Sequence, residues 1–491
     1  MPGPAAPQDE HAQARGSGLA LDSAMSMAAL VMLGGTRVVY GSILSHATDR
    51  ETFGVVGLLI GLTMIGSFLL PAGIGSAISR YIPFNLGRGD AAAARGLYRL
   101  LLRVALVAGL PLAIGAFAIA RLALDRPTGQ SIEVALLMLV YALYTVCKAG
   151  LYGFGRVGFY LRLEIISSVL VLALALAVAV TGSTSYLAPL IVGYGAFAAA
   201  AAYRLRTDAA GAASAPDPGL KREVGGFVIL ACLGTLASAG FLQSTQFLAA
   251  TFAPVAQVAS FAAAVTLVAP VQFLPRALAL AMFPWMAAAH GAGDVDAIRR
   301  QVDLSTRALV VVLTPPFAAG IILAPEILKV FGGEAYVDGA HVLQLILVGA
   351  FLSVIQVGSV NALSSASDWQ LRIPVAWAVI GALSGLAFVA LAGPVFGSTG
   401  VAGGYILGTL VSAAGPIAVV WRRWSMPWGG VFARATIAIA MSLIVAVLVP
   451  SRAAAASEVI LDVVLAGIAA SIAAAVLARD IRAIVVARRR P

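Results

Sequence analysis

The chain has 491 residues, 60% hydrophobic and only 11% charged, with a formal net charge of +10 and a mean hydropathy of +0.96. Soluble domains carry roughly 25% charged residues, and a chain this apolar has too little polar surface to cover a water-soluble globule. The positive balance does not indicate nucleic acid, because the basic residues sit between apolar runs with few aromatics among them, as the positive-inside rule distributes them.

A polar, Pro- and Ala-rich tail (1–20) lacks the basic start of a cleavable signal. Six apolar segments follow: Leu21–Ser45, Phe53–Ile82, Tyr98–Ala120, Ile132–Tyr152, Leu163–Thr181 and Tyr186–Tyr203. Each approaches or exceeds the about 20 residues a membrane helix needs. The stretch Arg204–Glu223 is polar and rich in Pro, Gly, Ala and Ser, and reads as a linker. Beyond it lie Val224–Ala249, Val255–Ala288, Leu304–Val330, Ala340–Ser365, Ile373–Phe396, Val401–Trp421, Val431–Val449 and Val459–Leu477. The expected organisation is an N-lobe (21–203), a cytoplasmic linker (204–223), a C-lobe (224–424), two additional helices (425–480) and a basic cytoplasmic tail (481–491). The fold class is therefore an all-α polytopic membrane protein of fourteen helices.

With both termini cytoplasmic, only Arg50, Arg121, Arg126, Lys329 and Arg452 of the 32 basic residues fall in external loops. Shifting the register by one span destroys this bias, which favours an even number of spans.

Punctuation residues recur. Pro71 and Pro275, Gly89-Asp90 and Gly293-Asp294, Arg95 and Arg299, Arg103 and Arg307, and Pro111 and Pro315 share one offset of 204 (275 − 71) without a gap. Repetition in an apolar chain points to a transporter built from duplicated bundles, and six spans per copy insert both copies in the same direction. The Gly-Asp pairs read as turns before helices, with the aspartate complementing the helix N-terminus. The last two spans have no counterpart in the first half.

No hydrolytic or redox constellation stands out. His11, His46, His290 and His341 lack metal-ligand spacing, Cys147 and Cys232 lie in apolar runs, and there is no P-loop. Neither an enzyme, a metal nor another cofactor is expected. Arg37 and Arg276 are the charges placed fully within spans; an arginine there costs roughly 2.5–3.5 kcal/mol. Either residue reads as an anion clamp facing a wet cavity or as a side chain snorkelling to the interface. Gln243, Gln246, Gln272, Gln356 and Asn361 are neutral polar residues inside spans, suited to helix–helix contacts or to a ligand. Asp22, Lys148, Glu164 and Asp368 lie near span ends, where solvated or paired charge is the plainer reading; Glu164 is the carboxylate best placed for coupling to a proton or cation.

The run ETFGVVGLLIGLTMIGSFLLPAGIGSAISRYIP, followed by GRGD, resembles the start of bacterial polysaccharide and O-antigen flippases of the MOP superfamily. Pro325-Glu326-Ile327-Leu328, then Phe331-Gly332 and Tyr336, is similar to the same family's ninth and tenth spans. The resemblance covers about Ala24 to Trp424. It implies two six-helix lobes around a central cavity, alternating access without ATP, and a plasma-membrane location. The implied cargo is a polyprenyl-diphosphate-linked oligosaccharide, with membrane lipids, a polysaccharide polymerase and glycosyltransferases as partners. Lipid II flippases and MATE drug/cation antiporters are relatives and give alternative functions. An antiporter of the latter kind is expected to carry intramembrane carboxylates, and none is obvious here. A membrane-embedded glycosyl- or acyltransferase calls for a large polar loop with catalytic acids or histidines, and the longest internal loop is the linker.

Overall fold

The computed structural model describes residues 8–208, 211–215, 217–273, 294–366, 368–449 and 456–478. They form helices and no strands. The first half contains α1 (Gln8–Ala47), α2 (Arg50–Leu69), α3 (Pro71–Gly87), α4 (Ala91–Ala118), α5 (Thr128–Gly153), α6 (Val157–Thr181) and α7 (Ala188–Asp208). The second contains α8 (Pro218–Thr235), α9 (Phe241–Phe252), α10 (Val255–Val268), α11 (Val295–Ile322), α12 (Ala324–Gly332), α13 (Ala340–Ile355), α14 (Val357–Ala366), α15 (Asp368–Trp424), α16 (Gly429–Leu448) and α17 (Ala456–Val476).

Local chemistry explains the boundaries. Asp49 caps α2 by accepting from the Thr52 N–H at 2.8 Å, which holds its carboxyl below the usual carboxylate range. The second expected span breaks at Leu70, because Pro71 has no N–H to extend α2 and opens α3 instead. Leu323 and Gln356 mark comparable breaks, before Pro325 and between α13 and α14. A five-residue π-helical segment, Leu236–Gly240, joins α8 to α9. In α15 only Gly397 leaves the helical region, at φ 55 and ψ −132. There the chain folds back on itself: a Cβ on Gly385 would lie 2.7 Å from the Gly404 carbonyl oxygen. Glycine thus lets two antiparallel helices touch backbone to backbone, and α15 supplies two of the expected spans.

Twelve helices among the described residues are long and apolar enough to cross a membrane, and the chain is a multi-pass membrane protein. The folded-back α15 is one of those twelve. The eighth expected span, Val255–Ala288, contains the shorter apolar helix Gln257–Val271, and its part from 274 on lies outside the described residues.

The 204-residue offset has a structural counterpart. Asp90 and Asp294 each precede a 28-residue helix, α4 and α11, whose ends match at that offset and which carry Pro111 and Pro315 internally. Asp90 caps α4 by accepting from the Ala93 N–H at 2.8 Å, after Gly89 at φ +76. Pro275 and Gly293 lie outside the described residues.

Helices α1 and α3–α7 pack on one another, with α5 at the centre; α9, α11 and α13–α15 form a second bundle, and α16 and α17 pack on α11. The halves meet where α2 lies against α9 and α10, and α3 against α8.

Candidate functional site

Arg37 does not snorkel. From α1 it reaches into the first bundle, where Nη2 donates to the Tyr141 hydroxyl at 2.8 Å and Nε to the Tyr194 hydroxyl at 3.2 Å. Its guanidinium carbon lies 5.4 Å from the centre of the Tyr141 ring, within cation–π range. Tyr141 stacks on Tyr144 at 5.5 Å, and Tyr144 packs 4.8 Å from Tyr194. The Tyr144 hydroxyl donates to Glu164 Oε2 at 2.9 Å. One turn further along α5, the Lys148 ammonium sits 5.3 Å from the Tyr144 ring and 5.6 Å from that of Tyr160. Tyr141, Tyr144 and Lys148 share a face of α5 because they are three and four residues apart.

Glu164 is only 1% exposed and Lys148 7%, and the fields of Lys148 and Arg37 both reach the carboxylate. Their positions near span ends suggested ordinary solvated charge; instead they lie inside the bundle, where α7 packs on both α5 and α6 and α1 packs on α6. A carboxylate so placed needs cationic or hydrogen-bonding partners to remain ionised. Two cations against one carboxylate leave positive charge beside the cavity wall.

That wall belongs to a cavity between the halves, lined by Arg37, Tyr40, Tyr194, Gln243 and Gln246 with apolar residues of α2 and α10. Gln246 donates to Gln243 Oε1 at 2.9 Å and lies against α2, where a Cβ on Gly57 would fall 2.6 Å from the Ala262 Cβ, so glycine there lets α2 and α10 approach closely. The cavity measures about 60 Å³, room for about two waters at their liquid volume. As it stands, the cavity is too small for an organic solute. Contacts across the halves close the end near the α1–α2 turn: Arg50 pairs with Asp338 at 2.9 Å, the Ser45 hydroxyl donates to the Phe331 carbonyl at 2.7 Å, and Phe53 packs edge-on against Phe331 and Tyr336.

Gln356 and Asn361 lie elsewhere. They line a second cavity of about 410 Å³, with Ser76, Thr235 and Ser412 among its walls. The break of the tenth span at Gln356 turns this stretch away from the central cavity, so the polar residues expected together are divided between two sites. Gln272 falls in the short 3-10 turn Ala269–Phe273, where its side chain is not described, and Arg276 lies outside the described residues. The side chains of Asp22 and Asp368 are likewise not described.

The sequence reading missed the tyrosines and Asp462. Tyr141, Tyr144 and Lys148 in helical register within one span were the available signal. Among the described residues the buried charged side chains are Lys148, Glu164 and Asp462, which corrects the expectation that intramembrane charge is confined to arginine. Asp462 was visible as a lone acid inside the last apolar span.

A MatE family model matches residues 231–391. No curated protein matches the chain. Among solved structures, an inward-facing multidrug resistance MATE family transporter of the MOP superfamily is 16% identical with a TM-score of 0.63, over 81% of this chain and 98% of its own. A MOP superfamily transporter from Pyrococcus furiosus, described as having a binding pocket of reverse polarity that suggests a different function, is 17% identical with a TM-score of 0.62, over 83% and 95%. A Vibrio cholerae MATE transporter is 15% identical with a TM-score of 0.58, over 83% and 96%. The chain therefore has the all-helical fold of the MATE transporters of the MOP superfamily.

Proposed function

We propose that the protein is an alternating-access secondary transporter of the plasma membrane, with both termini cytoplasmic, that exchanges an organic cation for a proton or small cation taken up at Glu164. The observation that carries this reading is the buried Glu164 carboxylate, linked through Tyr144 and the neighbouring tyrosines to Arg37 on the cavity wall. While Glu164 is ionised, it offsets part of the positive field of Arg37 and Lys148. Neutralising it raises the potential at the cavity and weakens the hold on a cation there. Two unit charges about 10 Å apart at an effective dielectric of about 20 interact by roughly 1.7 kcal/mol, which exceeds a tenfold change in affinity.

A second reading, in which the cargo is a polyprenyl-diphosphate-linked oligosaccharide delivered to a polysaccharide polymerase, is favoured by the same Arg37. Its guanidinium matches a phosphate, and it is the charged residue lining the cavity among the described residues. The sign of the coupling separates the two. Neutralised Glu164 releases a cationic cargo but strengthens the hold on a diphosphate. Binding of tetraphenylphosphonium and of the lipid-linked diphosphate to purified protein, each at acidic and alkaline pH, tests this. Tighter tetraphenylphosphonium binding at alkaline pH, lost in Glu164→Gln, supports exchange. Tighter diphosphate binding at acidic pH, lost in Arg37→Ala, supports flipping. Absence of both pH dependences contradicts the coupling role of Glu164.

A further inference from the structure

The two appended helices enclose a cavity of their own. It measures about 510 Å³ and lies between the ends of α11 and α16, the α12–α13 connection and the first turns of α17. Its walls are largely apolar, with Ile322, Pro325, Val445, Val449 and Leu465 among them. Four titratable side chains line it: Glu334, Asp338, His341 and Asp462. Glu334 is paired with Lys329 at 2.5 Å, and Asp338 with Arg50 at 2.9 Å. His341 Nδ1 lies 3.3 Å from Gln344 Oε1. Asp462 differs from these: it is 98% buried, since its exposure is 2%, and its Oδ2 has no hydrogen-bond partner among the described residues.

We propose that this cavity is a second ligand site, for a small amphipathic ammonium ion, with Asp462 as its counter-ion. A carboxylate removed from water and left without a partner carries a desolvation cost that a bound cation relieves. The cavity is many times the volume of a single ion and falls in the range of small-molecule pockets, which combine apolar walls with a few placed polar groups. Val445, Val449 and Leu465 suit the carbon skeleton of such a ligand, and Gln344 adds a polar group to the cavity lining. A metal ion is disfavoured, because the described residues contain no group of three or more His, Cys, Asp or Glu placed to hold one. In the orientation proposed above the α12–α13 connection that lines the cavity lies on the external side, away from the central cavity.

The test uses full-length protein in nanodiscs, with phenethylamine as the ligand probe and 2-phenylethanol as its uncharged analogue. Saturable phenethylamine binding is expected, weakened roughly tenfold or more in Asp462→Asn through loss of a charge-assisted contact. Ala446→Phe, which leaves the carboxylate in place and fills the cavity wall, should also weaken it. Glu164→Gln should leave it unchanged, which separates this site from the central exchange reaction. Absence of saturable binding, equal binding by Asp462→Asn and wild type, full competition by 2-phenylethanol, or loss of binding in Glu164→Gln alone would each overturn the proposal.

Discussion

The two halves share a scaffold but not a chemistry. Asp90 before α4 and Asp294 before α11 start helices of equal length with a proline at the same position. The interior of the first half nevertheless holds Lys148 and Glu164, whereas the buried polar residues described in the second half up to Trp424 are amides and hydroxyls such as Gln246, Thr314, Ser359 and Asn361. Repetition therefore reports how the helices are laid out. Charge that departs from the repeat reports where the halves have taken different tasks. Buried ion pairs contribute little net stability compared with apolar packing, so a charged centre found, among the described residues, in the first half points to a role other than holding the helices together.

The largest effect should come from breaking that centre. Lys148→Met leaves Glu164 with a less compensated charge, and a loss of about 3–5 kcal/mol is expected from orphaning one member of a buried pair. Thermal unfolding in detergent measures it, and Lys148→Met combined with Glu164→Gln should recover most of the loss. If the single and double variants unfold alike, the pair is not electrostatically joined.

Next in size is a change in the second half, where packing rather than charge is at stake. Gly385→Ala brings a Cβ against the Gly404 carbonyl and the Phe241 ring, and overpacking of this kind costs about 1–3 kcal/mol. An unchanged melting temperature would contradict the close packing of the two arms of α15.

Arg37 lines the cavity between the halves, so Tyr141→Phe sharpens the comparison further. It removes one hydrogen bond to the guanidinium while keeping the ring, and bonds to charged groups contribute about 1.5–3 kcal/mol. Cargo affinity should change, with melting temperature shifting less than in Lys148→Met. A variant that alters stability alone assigns the tyrosine to packing.

The smallest effect lies outside the membrane. Asp49 has a depressed folded-state pKa through the Thr52 N–H, so its capping contribution is present at neutral pH and lost as pH falls through that lowered value. Asp49→Ala should cost about 1 kcal/mol, typical of an N-cap, and the difference from wild type should vanish under acid conditions.

Much of this architecture was legible in the sequence. Apolar runs of span length and the 204-residue offset are local or periodic signals. Arg37 announced itself by the cost of its position. The burial of Lys148 and Glu164 in one bundle was not legible, because they lie on different helices and depend on how α1, α5, α6 and α7 pack. The separation of Gln356 and Asn361 from Gln243 and Gln246 escaped for a similar reason: the interruption at Gln356 has no proline or glycine at that residue to mark it. Asp462 was readable as an acid in an apolar span, but that its Oδ2 has no partner among the described residues, while Arg50 and Lys329 pair with the neighbouring acids, became visible only in the structure.

The most direct measurement is uptake of a fluorescent organic cation by proteoliposomes under an imposed pH gradient, comparing wild type with Glu164→Gln. Exchange at Glu164 requires the gradient to drive wild-type uptake above equilibrium and to leave the variant at passive equilibration. Gradient-driven accumulation by Glu164→Gln equal to that of wild type would contradict it.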